Sequence, residues 1–292
     1  MLLVVSAITF VLLSKAGGDA FSNLRDNPQI SEATIERLRQ VYGLDQPLIV
    51  RYGNWLNGAL NGNLGESFQF RVPVTGLVSS RFLNTLQLAG LGLLIALSVS
   101  VGLSILSVKF PNKSLSAAIE LLILIASSTP RIVLALFALL LTVRFTGFTI
   151  NEQTAALTSL LLASIVQAIP LISLFLAQAH ESLTQAMKED FIKLAQAKGL
   201  SESLIIFRHA SRAAIGPLVT LFGLSLGGLL GGSVIVESIL GWPGIGALMV
   251  LAVRGRDLPV VMGVVLAASI AVWFGNALAE ILQLMNDKRL RV

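Results

Sequence analysis

The 292-residue sequence contains no cysteine. Disulfides and thiolate metal sites are therefore excluded. Its two histidines, His180 and His209, lack metal-ligand spacing and bracket one loop, so they read as solvated or interfacial side chains. Neither a G-x-x-x-x-G-K-S/T phosphate loop nor a G-x-S-x-G elbow is present, so the chain is not expected to hydrolyse anything by itself. Charge is scarce as well. Charged residues make up 13% of the chain, against about a quarter in a soluble domain.

What fills the space is apolar: 54% hydrophobic residues and a mean hydropathy of +0.81. That composition describes an integral membrane protein. Apolar runs long enough to cross a core of roughly 30 Å, about 20 helical residues, occur at Leu86–Leu106, Ala117–Leu141, Ala155–Leu176, Ile215–Val236 and Val260–Leu284. A sixth, Met1–Ser14, gives only about 21 Å of helix and has no basic residue ahead of it. It reads as a first transmembrane helix with a shortened start rather than a cleaved leader. None of the runs shows the alternation of barrel strands. The expectation is an all-α polytopic membrane protein with six transmembrane helices.

Lysine and arginine in the short loops set the orientation. One side holds ten: Lys109, Lys113, Lys188, Lys193, Lys198, Arg208, Arg212, Lys288, Arg289 and Arg291. The other holds three, Arg144, Arg254 and Arg256. This bias predicts cytoplasmic N- and C-termini and a cytoplasmic loop 179–212 in a multi-pass protein of the cell (inner or plasma) membrane. The pI near 9.9 then reflects topology and gives no support to nucleic-acid binding. The predicted divisions are 1–14, the first transmembrane helix; 15–83, an extracytoplasmic helical segment; 84–285, a five-helix core; and 286–292, a cytoplasmic tail.

The outer segment has internal order. Ser31 precedes the amphipathic pattern Ile35, Leu38 and Val41, with Glu32 and Glu36 early and Arg37 and Arg39 late, which suits a helix dipole. Gly43 ends that helix, Leu44–Pro47 is a turn, and a second helix spans Leu48 to about Leu60, closed by Asn61–Gly65. Together they form a helical cap, read both as a packing subdomain and as a contact for a soluble partner.

The inner loop is sharper. Thr184–Ala197 has a helical pattern with Met187, Phe191, Leu194 and Lys198 on one face. Gly199 suits a left-handed helix end, and Ser201 is a ready N-cap for a second short helix through about His209. Two short helices meeting at a glycine make a bent knob. Its apolar face either packs on another protein or folds back on the bundle.

At these residues the chain resembles a known family. Glu189-Asp-Phe-Ile-Lys-Leu-Ala-Gln-Ala-Lys-Gly-Leu-Ser201, then Phe207-Arg-His-Ala-Ser-Arg-Ala-Ala214 and Pro217, are similar to the coupling loop of ABC-type importer permeases of the dipeptide/oligopeptide/nickel group. The general form opens Glu-Ala-Ala with a glycine six residues after the Glu. Lys193 and Leu194 stand where the Glu and first Ala would be, while Ala195 and Gly199 are kept. Gly43–Tyr52 with Gly62–Ser67, and Glu237–Gly246 with Arg256–Val261, resemble two further stretches of the group's B-type subunits.

The resemblance implies a permease without cofactor of its own. It would pair with a second homologous permease in the lipid bilayer, two ATPase subunits that bind ATP and Mg, and an extracytoplasmic substrate-binding protein. It implies ATPase coupling through Glu189, Asp190, Phe191, Leu194, Ala195, Ala197, Lys198, Gly199, Leu200 and Ser201, with Arg208 and His209 beyond. Peptides are the expected cargo, with nickel or another small solute as the alternative. A secondary transporter would show broken helices at matching positions in two halves. A non-transporting scaffold could use the same knob as an adaptor.

Four charged residues fall in or near the spans. Glu120, Glu237 and Glu280 lie near span ends and read as snorkelling or paired side chains. Arg131 follows Pro130 near mid-helix, where the proline bends the axis; it either lines the translocation path or pairs within the bundle. Gly223, Gly227 and Gly231 form a small-residue stripe for close helix packing.

Overall fold

The computed structural model describes residues 2–15, 31–146 and 152–286. The expected tail beyond Asn286, with Lys288, Arg289 and Arg291, lies outside these residues. Every regular element described is helical; one isolated bridge, Glu66 to Pro73, is the exception. The helices are α1 (Leu2–Lys15), α2 (Glu32–Val41), α3 (Leu48–Leu60), α4 (Val74–Lys109), α5 (Lys113–Ser128), α6 (Arg131–Thr146) and α7 (Glu152–Lys188). They continue with α8 (Asp190–Ala197), α9 (Glu202–Leu204), α10 (Ser211–Leu240), α11 (Ile245–Arg254) and α12 (Leu258–Asn286). Among the described residues four helices are long and apolar enough to cross a membrane, and up to six spans result if each of two sharply bent helix pairs is one.

One of those pairs corrects the expected single span Ala117–Leu141, bent at Pro130, to two separate helices. α5 and α6 meet at 98°. Pro130 has no N–H to offer and forces the preceding residue out of helical conformation; Thr129 sits at φ −91°, ψ 116°. The proline thus ends one helix and Arg131 starts the next. α10 likewise ends where Gly241 turns left-handed at φ 70°.

The chain separates into two units, Met1–Thr85 with Pro243–Ala271, and Leu86–Trp242 with Val272–Val292. In the first, α2 and α3 form where the pattern predicts. Ser31 caps α2 by accepting from Thr34 N (3.3 Å), and Gly43 at φ 62° closes it with bonds from Gly43 N to Gln40 O and from Leu44 N to Arg39 O. Tyr52 of α3 lies edge-on to Phe10 and bonds Ser6 (2.9 Å), fixing α3 on α1. Val74 and Val78 join Ile245, Leu248, Ala252, Val260, Val261 and Val264 in one core.

A buried carboxylate ties this unit together. Asp257, fully buried, accepts from the equally buried Ser67 hydroxyl (2.5 Å) and from Gln69 N–H (3.0 Å), and its other oxygen faces Val260 N–H (3.4 Å) at the start of α12. Ser67 Oγ in turn accepts from Phe70 N–H (2.8 Å). Two motifs recognised separately in the sequence, Gly62–Ser67 and Arg256–Val261, therefore meet in one hydrogen-bonded knot. Similarly, Thr85 Oγ1 accepts from Ile245 N–H (2.9 Å) at the start of α11, and Asn84 donates to Pro243 O (2.8 Å).

In the second unit two glycines of the expected stripe, Gly223 and Gly227 of α10, pack against α12, while a Cβ at Gly231 would meet nothing within 4 Å. Gly223 lies so close to Ala279 that no Cβ could be added, and Gly227 faces Val272 and Asn276. Close backbone approach of this kind is what glycine permits in a membrane bundle, where dispersion contacts replace the hydrophobic effect between helices.

Candidate functional site

The inner knob is built differently from the expected pair of short helices. α7 stops at Lys188, Glu189 is extended (φ −67°, ψ 149°), and only then does α8 begin. The single helix Thr184–Ala197 is thus corrected to two. The cause is burial: Ile192 (0% exposed) and Ala195 (6%) turn inward onto Leu183, Ala186, Ile205, Ala210 and Ala214, a seat that an unbroken α7 would carry them past. Hydrophobic packing outweighs the local helix preference of one residue.

α8 ends as the sequence predicts. Gly199 lies at φ 73°, Gly199 N–H donates to Gln196 O (2.9 Å), and Leu200 N–H donates to Ala195 O (3.3 Å). This is the Schellman arrangement, completed by Leu200 packing in the same cluster as Ala195. Ser201 takes the extended N-cap conformation of α9 without a side-chain capping bond. The second short helix through His209 is corrected too: α9 passes through a π-helical turn, Ile205–Ala210, directly into α10. Ser211 Oγ donates to Ile206 O (2.8 Å) within the turn.

The predicted site residues divide accordingly. Phe191 (43% exposed) and Leu194 (58%) face outward, as do Asp190, Ala197, Lys198 and Gly199; Ala195 faces the bundle and Leu200 is half-buried. Arg208 is exposed and His209 half-buried. Lys193 pairs with Asp190 at 2.8 Å, an exposed i,i+3 contact worth little. Sequence reasoning missed Phe207 (60% exposed) and Leu204, which extend the apolar outer surface onto the π-turn. Their signal was the run Leu204-Ile-Ile-Phe207, in which Ile205 and Ile206 point inward while the flanking residues do not. The result is a stiff, internally anchored knob with large apolar side chains on its free face.

Arg131 lies half-buried at the α5–α6 break, its guanidinium against Gly232 of α10, with no room for a Cβ between them. It makes no ion pair among the described residues. Gln167 and Ser164, one turn apart on α7, are fully buried, and the Ser164 hydroxyl and both polar ends of the Gln167 carboxamide lack partners there. Each such group costs about 1–3 kcal/mol. An uncharged glutamine in an apolar span escapes a search for charged residues.

Comparison with known proteins identifies the family. Residues 78–292 match the family model described as binding-protein-dependent transport system inner membrane component, and residues 1–89 match its N-terminal companion. A Brucella suis protein provisionally named a peptide permease is 34% identical, with 100% of this chain and 95% of the relative covered. The Bacillus subtilis oligopeptide transport system permease protein AppB is 31% identical over 99% and 95%. The nickel import system permease protein NikB of Staphylococcus aureus is 26% identical over 100% and 88%. The chain belongs to the inner-membrane permeases of binding-protein-dependent ABC import systems, in the peptide/nickel branch of that family.

Proposed function

We propose that this chain is the permease subunit of an ATP-driven peptide importer, and that the knob formed by α8 and the π-turn is where it receives force from an ATPase subunit. The observation that carries this reading is the outward display of Phe191, Leu194 and Phe207 on elements rigidly seated through Ile192, Ala195 and Ile205. An apolar surface on a polar loop suits a protein partner, and its anchoring suits rigid-body transmission into α7 and α10. Peptides are favoured as cargo because the relatives at 34% and 31% identity carry peptide names, against 26% for the nickel system.

The partners in this reading are a second homologous permease, two ATPase subunits carrying ATP and Mg, and an extracytoplasmic binding protein that delivers cargo to the 15–83 side. The knob and both termini are cytoplasmic, in line with the ten-to-three lysine and arginine bias. Arg131, a cation at a helix break with no ion pair among the described residues, is assigned to the translocation path.

Phe191→Asp tests the knob. It places a carboxylate in an apolar contact, a desolvation cost of several kcal/mol. The variant should stay in the membrane and paired with its partner permease, yet lose the ATPase subunits on purification together with peptide uptake. Retention of the ATPase with failed insertion would mean that Phe191 serves the bundle instead.

A further inference from the structure

We infer that Ser164 and Gln167 form a peptide-backbone subsite that is shut in this conformation and opens during the transport cycle. The inference rests on the peptide reading above.

Both residues lie on one face of α7, and Gln167 is about 15 Å of helix from Leu157, deep within the span. Among the described residues neither the Ser164 hydroxyl nor the Gln167 carboxamide has a hydrogen-bond partner, although both residues are fully buried. What closes the seam over them is α4: at Gly92, an added Cβ would stand 3.3 Å from Ser164 O and 3.4 Å from Gln167 Cβ and Cγ. A closed seam holding three polar atoms without protein partners is disfavoured relative to an open one in which they are hydrated or occupied.

Two neighbouring features make opening feasible. Pro170, one turn further along α7, has no N–H for Val166 O, so the helix bends most easily beside the polar pair. Beyond this proline, α4 and α7 are tied by Ser100 Oγ to Ile172 O (3.3 Å) and by Ser107 Oγ with His180 Nδ1 (3.0 Å), so the hinge and these ties lie on the same side of the polar pair. The chemistry of the pair selects the ligand class. A carboxamide offers one donor and one acceptor side by side, the complement of a peptide group's C=O and N–H, and the hydroxyl adds a third bond. Such recognition ignores side-chain identity, which suits a path that passes varied peptides.

The absence of cysteine makes the test direct, since Ser164→Cys gives this chain a single thiol. The complete importer, with other subunits free of reactive thiols, would be reconstituted in liposomes and labelled with a membrane-impermeant maleimide. Labelling should be negligible at rest and at least about tenfold faster during ATP turnover, and saturating tripeptide should slow it. Gln167→Leu should keep the assembly intact while raising the peptide concentration for half-maximal uptake about tenfold, the equivalent of one or two lost hydrogen bonds. Equal labelling at rest and in turnover would overturn the inference. So would gated labelling that peptide does not slow, or unchanged peptide dependence in Gln167→Leu. These failures leave the transport reading standing if the unsubstituted importer takes up peptide; absence of that uptake overturns both.

Discussion

Removing the Asp257 carboxylate should loosen the unit formed by 1–85 and 243–271 more than any other single polar change there. Two short bonds end on one of its oxygens, from Ser67 Oγ at 2.5 Å and Gln69 N at 3.0 Å, and the other oxygen faces Val260 N at 3.4 Å. Bonds to a charged acceptor contribute about 1.5–3 kcal/mol each, so Asp257→Ala should cost about 4 kcal/mol. Asp257→Asn keeps one carbonyl oxygen for Ser67 and Gln69 but turns an NH2 toward the Val260 donor. Its loss should be about 2 kcal/mol. At about 2 °C per kcal/mol for a chain of this size, the two variants should melt roughly 8 °C and 4 °C below wild type. The assay is heating of the detergent-solubilised assembly followed by size-exclusion of the surviving fraction. Because Ser67 and Asp257 share one bond, the double variant Ser67→Ala/Asp257→Ala should lose at least about 1 kcal/mol less than the sum of the singles. Full additivity, or an Asp257→Ala variant melting within about 1 °C of wild type, would refute the tie.

Gly199→Val should abolish transport while leaving the protein in the membrane, because a β-branched residue at φ 73° is strained by about 2 kcal/mol and misdirects α9; normal uptake with ATPase bound would exclude the knob as the coupling element. Gly223→Val, inserted where Ala279 already touches the backbone, should force α10 from α12 and cost about 1–3 kcal/mol, measured as faster thermal loss of the assembly.

Local chemistry made much of this structure legible in advance. α2, α3, their caps and the Gly199 turn follow from signals confined to a few residues: a serine before an amphipathic run, a glycine after it, a breaker cluster. What escaped depends on distance. Nothing near Glu189 announces a break, since the reason is the seat for Ile192 and Ala195, formed partly by Ile205, Ala210 and Ala214 across the turn. Ser67 and Asp257 are separated by 190 positions, so their bond appears only once both loops are placed. Pro130 was visible, but a proline alone does not tell a bent helix from a broken one; the surroundings of α5 and α6 decide that. The buried state of Gln167 depends on Gly92 in another helix.

The π-turn fixes a length as well as a shape. It holds one more residue than α-helix of the same rise, and each residue turns a helix by about 100°. Upstream, Ile192 and Ala195 of α8 pack into the inward cluster; downstream, Gly223 and Gly227 face α12. Deleting one residue between them would rotate one face out of phase with the other, so either the knob or the glycine stripe would lose its partner. Loops ordinarily absorb insertions and deletions without consequence. Here the spacing from Gly199 to Gly223 behaves like the pitch of a thread, and a relative with a different count has to gain or lose a π-turn to keep both contacts.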